Sequence, residues 1–220
     1  MELVSAIRTR RSEYNLIDPA PSSDEFIRLL ESASVAPDHG RLRPWRWILV
    51  RGHSRSALGA SFAAGCQESQ SRQAAAHPLR APLLATLVFC PCRDHRIPVW
   101  EQLASACCVA NSMMLLLHDR GYGSLWKTGP YAESADARIM LDLDWTESLL
   151  GWLYIGTPDP TKPLPPRPVV PVTDKVMTFN PGRSLEETRR LGPGRACRRD
   201  ELRTAALSRA AHDPTTRTGT

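Results

Sequence analysis

Four short stretches of the chain combine residue types that could do chemistry. Arg10-Arg11-Ser12 sets two guanidinium groups beside a hydroxyl. That donor set suits a phosphate monoester, which accepts bidentate, charge-assisted hydrogen bonds. By itself the same triplet is more often a solvated helix end, where the helix dipole favours cations. The run Ala36 to Trp45 packs Asp38, His39, Arg41 and Arg43 into a loop bounded by prolines, and Asp38 beside His39 could act as orienter and base. Val99-Trp100-Glu101-Gln102 opens a long apolar segment, although a Glu in a first helical turn needs no catalytic reason. Gly121-Tyr122-Gly123-Ser124-Leu125-Trp126-Lys127-Thr128-Gly129 offers adaptable backbone, an aromatic ring and one of only three lysines, or simply a turn and a strand. The sequence lacks a nucleophile elbow, a P-loop, a zinc-protease helix and the Rossmann glycine fingerprint. A nicotinamide would therefore have to bind without a Rossmann unit.

These stretches need elements to position them. Leu3 and Ile7 have helical spacing and predict an amphipathic first helix that ends near Arg10–Ser12. Ser22-Ser23-Asp24-Glu25 reads as a capping box, followed by Phe26, Leu29, Leu30 and Ala33 at helical spacing. Trp45, Trp47 and Leu49 alternate as in a strand. Ser54 is expected to cap a short helix closed by Gly65, and residues 66–80 are polar and ambiguous. Leu83–Cys90 is a continuous apolar run, the signature of a strand covered on both faces. A helix is predicted from Pro98 to Arg120, with Gly121 as its stop. A short strand over Ser124–Lys127, a helix opened by Ser134 with Ile139, Met140 and Leu143 as its apolar face, and a strand over Leu149–Ile155 complete the pattern. Prolines crowd residues 158–171 and favour an extended chain there. Helices mixed with three or four strands make an α+β arrangement.

Composition narrows the function. The 220 residues are 42% apolar and 23% charged, which suits one ordinary globular domain. No apolar run is long enough to span a bilayer, and Met1–Ser12 holds three arginines without an apolar core. A cytoplasmic protein with no membrane partner is expected. The net charge of +5 is concentrated in residues 181–220, which hold nine Arg against five acidic residues. The body is nearly neutral, which argues against nucleic acid as a partner. That Arg-rich tail has no aromatic residue and is expected to be disordered, leaving residues 1–180 as the folded domain. The six cysteines show no zinc or redox spacing; no metal is expected, and the thiols read as small buried residues. Leu103–Leu117 carries no formal charge. A helix apolar all round has little interior to hide in within 24.4 kDa, so burial in a homodimer core is expected.

The clusters occur in a recognisable order. Arg-Arg-Ser after a helix, Ala-Pro-Asp-His before Pro44-Trp45, Arg80-Ala-Pro-Leu before a strand, Pro98-x-Trp-Glu-Gln, Gly121-x-Gly-x-x-Trp and Leu153-Tyr-x-Gly-Thr-Pro follow one another over residues 3–160. This resembles the small FMN-dependent NAD(P)H nitroreductases of the enterobacterial type. The resemblance implies an α+β sandwich, with a central antiparallel or mixed sheet flanked by helices, built as an intertwined homodimer. It implies one FMN at each of two sites in the dimer interface. Electrons would pass by a ping-pong mechanism from NAD(P)H to a small-molecule acceptor: a nitroaromatic, a quinone or a similar compound. It assigns Arg10, Arg11 and Ser12 to the phosphate and ribityl chain. His39 becomes a flavin contact often delivered by the neighbouring subunit. Trp126, Lys127 and Thr128 become a flavin-contacting segment, with Lys127 where Arg is common. The sequence departs from the subgroup at Glu13-Tyr14-Asn15 and at Val35, where basic residues are usual. Two other readings stay open: a flavin-dependent dehydrogenase or desaturase of a biosynthetic pathway, and a flavin-binding protein without catalysis.

Overall fold

The computed structural model describes residues 1–165 and 170–178. The tail 181–220 lies outside them, as do residues 166–169 of the proline-rich stretch. In chain order the elements are α1 (Leu3–Thr9), β1 (Leu16–Ile17), α2 (Ser23–Ala33), β2 (Trp45–Arg51), α3 (His53–Ala64), α4 (Glu68–Ala76), β3 (Leu83–Phe89), α5 (Val99–Asp119), β4 (Gly123–Lys127), α6 (Ala135–Met140) and β5 (Ser148–Pro158). Residues 1–168 make one compact unit. A second unit begins at Val169, and Thr173–Lys175 form a single 3-10 turn within it.

The strands join in the order β1-β5-β3-β2, and β4 also pairs with β5. Every strand pairing is antiparallel, and one parallel bridge outside the strands joins Ser12 to Ser124. Both faces of the sheet are covered. Leu84 and Val88 of β3 and Trp152 of β5 pack with Leu58 and Phe62 of α3 and Ala137 of α6. Leu83, Ala85, Leu153 and Ile155 pack on the opposite face with Phe26 and Leu29 of α2 and Val109, Met113 and Leu117 of α5. That three-layer packing is why β3 is buried at every position and reads as an unbroken apolar run.

Local chemistry sets most boundaries. Ser22 Oγ accepts the Glu25 amide at 3.1 Å, a cap that contributes about 1 kcal/mol. Glu25 does not close the box; its carboxylate accepts the Tyr122 hydroxyl at 2.9 Å. Helix α3 is capped by Gly52, whose φ of +51° starts the turn, so Ser54 lies inside the first turn instead of at the cap. The ambiguous stretch 66–80 forms α4 and a 3-10 turn, His77–Arg80.

Three expectations about burial are corrected. Leu3 and Ile7 of α1 are 66% and 53% exposed, and only Ala6 of that helix is buried. Helix α6 is rotated from the expected face: Ala137 and the following Leu141 are buried while Ile139 and Met140 point outward, because six residues cannot present both sets to the core. The thiols of Cys66, Cys90, Cys92, Cys107 and Cys108 are free, yet Cys92 and Cys108 are exposed. Cys92 lies in the loop before α5. Cys108 belongs to an uncovered stripe of α5 that also includes Trp100, Leu103 and Ala104.

Candidate active site

The Arg10-Arg11-Ser12 stretch leaves α1 and runs onto the sheet. Arg10 is the C-cap of α1 and its amide donates to Ala6 at 2.9 Å. Ser12 bridges Ser124, and the Glu13 amide donates to the Ser124 carbonyl at 3.0 Å. The first and fourth of the sequence clusters, more than a hundred residues apart, thus share strand β4. Arg10 and Arg11 are half-buried and Ser12 is exposed; one Arg11 Nη donates to the Pro165 carbonyl.

The far end of β4 is fixed by an irregularity in β5. Leu87 pairs with Gly151 but Val88 pairs with Leu149, so Leu150 is an extra residue in the ladder. The Leu150 carbonyl accepts the Trp126 indole N–H at 2.9 Å. Gly151 has φ +106°, and a Cβ there would lie 2.2 Å from the Lys127 carbonyl oxygen. Only glycine allows the two backbones this close. Lys127 Nζ stands 5.5 Å from the centre of the Tyr154 ring, within cation–π range. Burial lowers the Lys127 pKa, and the Arg80 guanidinium lowers it further. His77 is lowered by burial, then by Lys127 and Arg80. Burial pushes the Tyr154 phenol up to about 12. Thr128, next along the chain, is exposed.

His39 stands elsewhere. It opens a 3-10 turn, His39–Arg41; Gly40 and Arg41 within it, and Arg43 just after it, take left-handed backbone angles. Its Nδ1 lies 2.8 Å from Glu101 Oε2, which joins the second sequence cluster to the third. The expected Asp38–His39 couple does not form. Asp38 Oδ2 accepts the Arg43 amide at 2.7 Å and holds the loop, so the carboxylate that orients His39 is Glu101. Gln102, the neighbour of Glu101, is buried and pins the preceding loop through Cys92 and Ile97. The structure therefore ties Ser12 to the strand bearing Trp126 and Lys127, with Thr128 just beyond it, and ties His39 to the start of α5. Arg80 went unassigned in the sequence reading; the Arg-Ala-Pro-Leu motif was its only signal.

Among the described residues, Lys127, Arg80 and His77 form a cation-rich rim beside the Tyr154 ring, and the Arg10-Arg11-Ser12 segment joins the other end of the same strand. Cations of this kind fit a flat ring that gains negative charge on reduction, joined to a phosphate. A concavity of about 630 Å³ lies beside α3 and α6, lined by Phe62, Cys66, Tyr131 and Glu133 among others, and takes in none of these residues.

An antiparallel sheet between helix layers is the fold shared with nitroreductase-like proteins, and the chain belongs to the nitroreductase family, whose sequence pattern it matches over residues 7–157. It is 31% identical over 163 residues to the Escherichia coli (strain K12) protein named "Putative NAD(P)H nitroreductase YdjA", covering 72% of this chain and 89% of that one. A Haemophilus influenzae protein named "Putative NAD(P)H nitroreductase" is 27% identical over 165 residues, covering 71% and 89%. Among solved structures, a nitroreductase-like family protein from Bacillus cereus superposes with a TM-score of 0.73 at 24% identity, covering 81% of this chain and 96% of that one. The FMN- and NADPH-dependent nitroreductase NfnB of "sphigopyxis sp." superposes at 0.64 with 23% identity, covering 82% and 99%.

Proposed function

We propose that the protein is an FMN-dependent NAD(P)H oxidoreductase that reduces a nitroaromatic, a quinone or a similar small acceptor in the cytoplasm. The observation that supports this reading is the Ser12–Ser124 bridge, which joins the end of the Arg10-Arg11-Ser12 segment to the strand that carries Trp126 and ends at Lys127. In this reading Arg10, Arg11 and Ser12 hold the phosphate and ribityl chain. Trp126, its indole fixed by Leu150, and the Lys127 and Thr128 that follow it would be the flavin-contacting segment. FMN supplies two-electron chemistry when bound, accepting reducing equivalents from NAD(P)H and releasing them to the acceptor in alternation, the ping-pong order. The protein's own part is to bind, orient and exclude water, and it needs no general acid–base triad for this.

The working unit in this proposal is a homodimer with FMN at the subunit interface. Two surfaces support it: the uncharged stripe of α5, where Trp100 is 69% exposed, and the outward apolar face of α1. Neither suits a monomer in water. His39, held by Glu101 beside that stripe, would reach the site of the neighbouring subunit.

The test is the absorption spectrum of the purified protein, followed by anaerobic addition of NAD(P)H. A bound flavin that bleaches, and recovers its colour when a nitroaromatic or quinone is added, is the expected outcome. Double-reciprocal plots should be parallel. A bound flavin that ignores NAD(P)H but is reduced by an organic substrate would replace this reading with a dehydrogenase.

A further inference from the structure

We propose that His118 is a positioning residue for the phosphate-binding segment: through Thr9 it fixes the end of α1 and so aims Arg10 and Arg11. The inference rests on the assignment of those arginines to the FMN phosphate and adds a residue outside every cluster singled out above.

Helix α1 is seven residues long and only Ala6 is buried in it, so the core does little to orient it. Polar contacts with the end of α5 do that instead. The Met1 ammonium pairs with Asp119 at 2.6 Å. Thr9, the last residue of α1, has its Oγ1 2.7 Å from the Ser5 carbonyl and 2.7 Å from His118 Nε2. A hydroxyl has one proton, and a carbonyl can only accept. The Thr9 proton therefore goes to Ser5, and His118 Nε2 must carry a hydrogen and donate it to Thr9. This fixes the imidazole as the Nε2–H form.

His118 is half-buried. Burial lowers its pKa and the adjacent Arg10 guanidinium lowers it further, against a smaller opposing pull from Asp119. A neutral donor can sit beside that guanidinium at no Coulombic cost, which a lysine or arginine in its place could not do. The backbone on either side of Arg10 is thus anchored, by Thr9 to His118 of α5 and by Ser12 and Glu13 to Ser124 of β4. Helix α5 leads directly into β4 through Arg120–Tyr122, so both anchors belong to one continuous frame.

The test measures FMN and riboflavin affinity by fluorescence quenching on the full-length chain, for His118→Ala, His118→Gln, Thr9→Val and Arg10→Ala. Losing one ordinary hydrogen bond weakens binding by up to about tenfold. The expected result is a five- to tenfold loss for FMN in His118→Ala and in Thr9→Val, about the same loss in the double variant, and riboflavin within about twofold. His118→Gln, whose amide can donate to Thr9, should recover most of the FMN affinity. Thr9 is exposed and Val keeps its shape, so that variant folds even if His118→Ala does not. If Arg10→Ala weakens FMN selectively while His118→Ala and Thr9→Val leave it unchanged, the positioning role is wrong and the phosphate assignment stands. Equal losses for FMN and riboflavin in His118→Ala and Thr9→Val would mark a general structural role and overturn the proposal. If Arg10→Ala itself fails to separate the two flavins, the phosphate assignment falls and this inference falls with it.

Discussion

Lys127 and His39 are proposed to serve the same cofactor, yet the molecule holds them in opposite ways. Lys127 ends a strand paired with the centre of the sheet, and its backbone is pressed against Gly151 in an irregular register. His39 stands on a three-residue turn, its side chain 64% exposed, with a single 2.8 Å contact to Glu101. One side of the site is a product of folding. The other is a loop in left-handed backbone angles, held up by Asp38 and left open to solvent. Strain of that kind persists where the surroundings over-determine it and is common at functional sites. Damage on the Lys127 side should therefore be read first in stability, and damage on the His39 side first in function.

The largest effect should come from Gly151→Ala. The new Cβ would meet a backbone oxygen 2.2 Å away at a φ of +106°, and neither strand can yield without breaking the ladder. A loss of about 3 kcal/mol or more is expected, roughly 6–12 °C in Tm for a domain of this size, together with lost flavin. The matching change in the loop, Gly40→Ala, also has a positive φ, but its Cβ would meet only the Ile97 Cδ1 tip at 2.5 Å. That methyl can turn away, so about 1–2 kcal/mol is expected. Thermal melts of the two variants side by side check the ranking, and equal losses would erase the contrast between the two regions.

The frame behind β5 gives an intermediate effect with a pH signature. Arg46 grips Glu147 through Nε and Nη2, each at 2.7 Å, and Cys90 Sγ lies 3.1 Å from the same carboxylate. The Arg46 hydrogen bonds carry the Glu147 pKa from 4.5 down to about 2, against a smaller opposing effect of burial. Burial and the Glu147 contact push the Cys90 thiol up to about 12, which keeps it unreactive. A depressed carboxyl pKa stabilises the fold above the unfolded value, and that contribution is lost as pH falls through the folded value. Glu147→Gln should cost about 2 kcal/mol at neutral pH. Between about pH 5 and pH 2 the wild type should lose its advantage over the variant. Denaturation at three pH values checks this; a difference that grows on acidification would contradict the assignment.

Legibility in the sequence followed the same divide. Helix α5 was readable at both ends because Pro98 and Gly121 punctuate it, and β3 because double burial leaves an unbroken apolar run. Helix α4 was not, since alanine, glutamine and serine carry no apolar period. Strand β5 runs to Pro158 instead of Ile155, because its last residues pair with the two-residue β1, too short to show a pattern. In the site, the residue types at Arg10–Ser12 and Trp126–Thr128 were legible and the bridge joining them was not. The His39–Glu101 contact, spanning 62 positions, was equally invisible. Asp38 was the nearer and more obvious partner, but Asp38 is consumed by the loop's own backbone. Proximity in sequence misled there because a strained turn needs its acceptor locally.

The smallest effect on the fold should come from His39→Ala, and it is the sharpest use of the comparison. The ring is mostly in solvent, and its pair with Glu101 is an exposed contact of the sort that contributes about 0–1 kcal/mol. A melting temperature within about 1–2 °C of the wild type is expected. Function should part from stability at this point. If His39 serves the partner's flavin site, its loss slows the half-reaction with the acceptor while leaving reduction by NAD(P)H near the wild-type rate. Glu101→Gln, which keeps a hydrogen-bonding partner for the ring but removes the charge, should fall between the two. Stopped-flow traces of the separate half-reactions, with melts on the same samples, make the measurement. A His39→Ala protein that melts normally and turns over normally would leave the strained loop without a function. A protein that melts much lower would show that the loop belongs to the frame, and that the two regions do not differ as their contacts suggest.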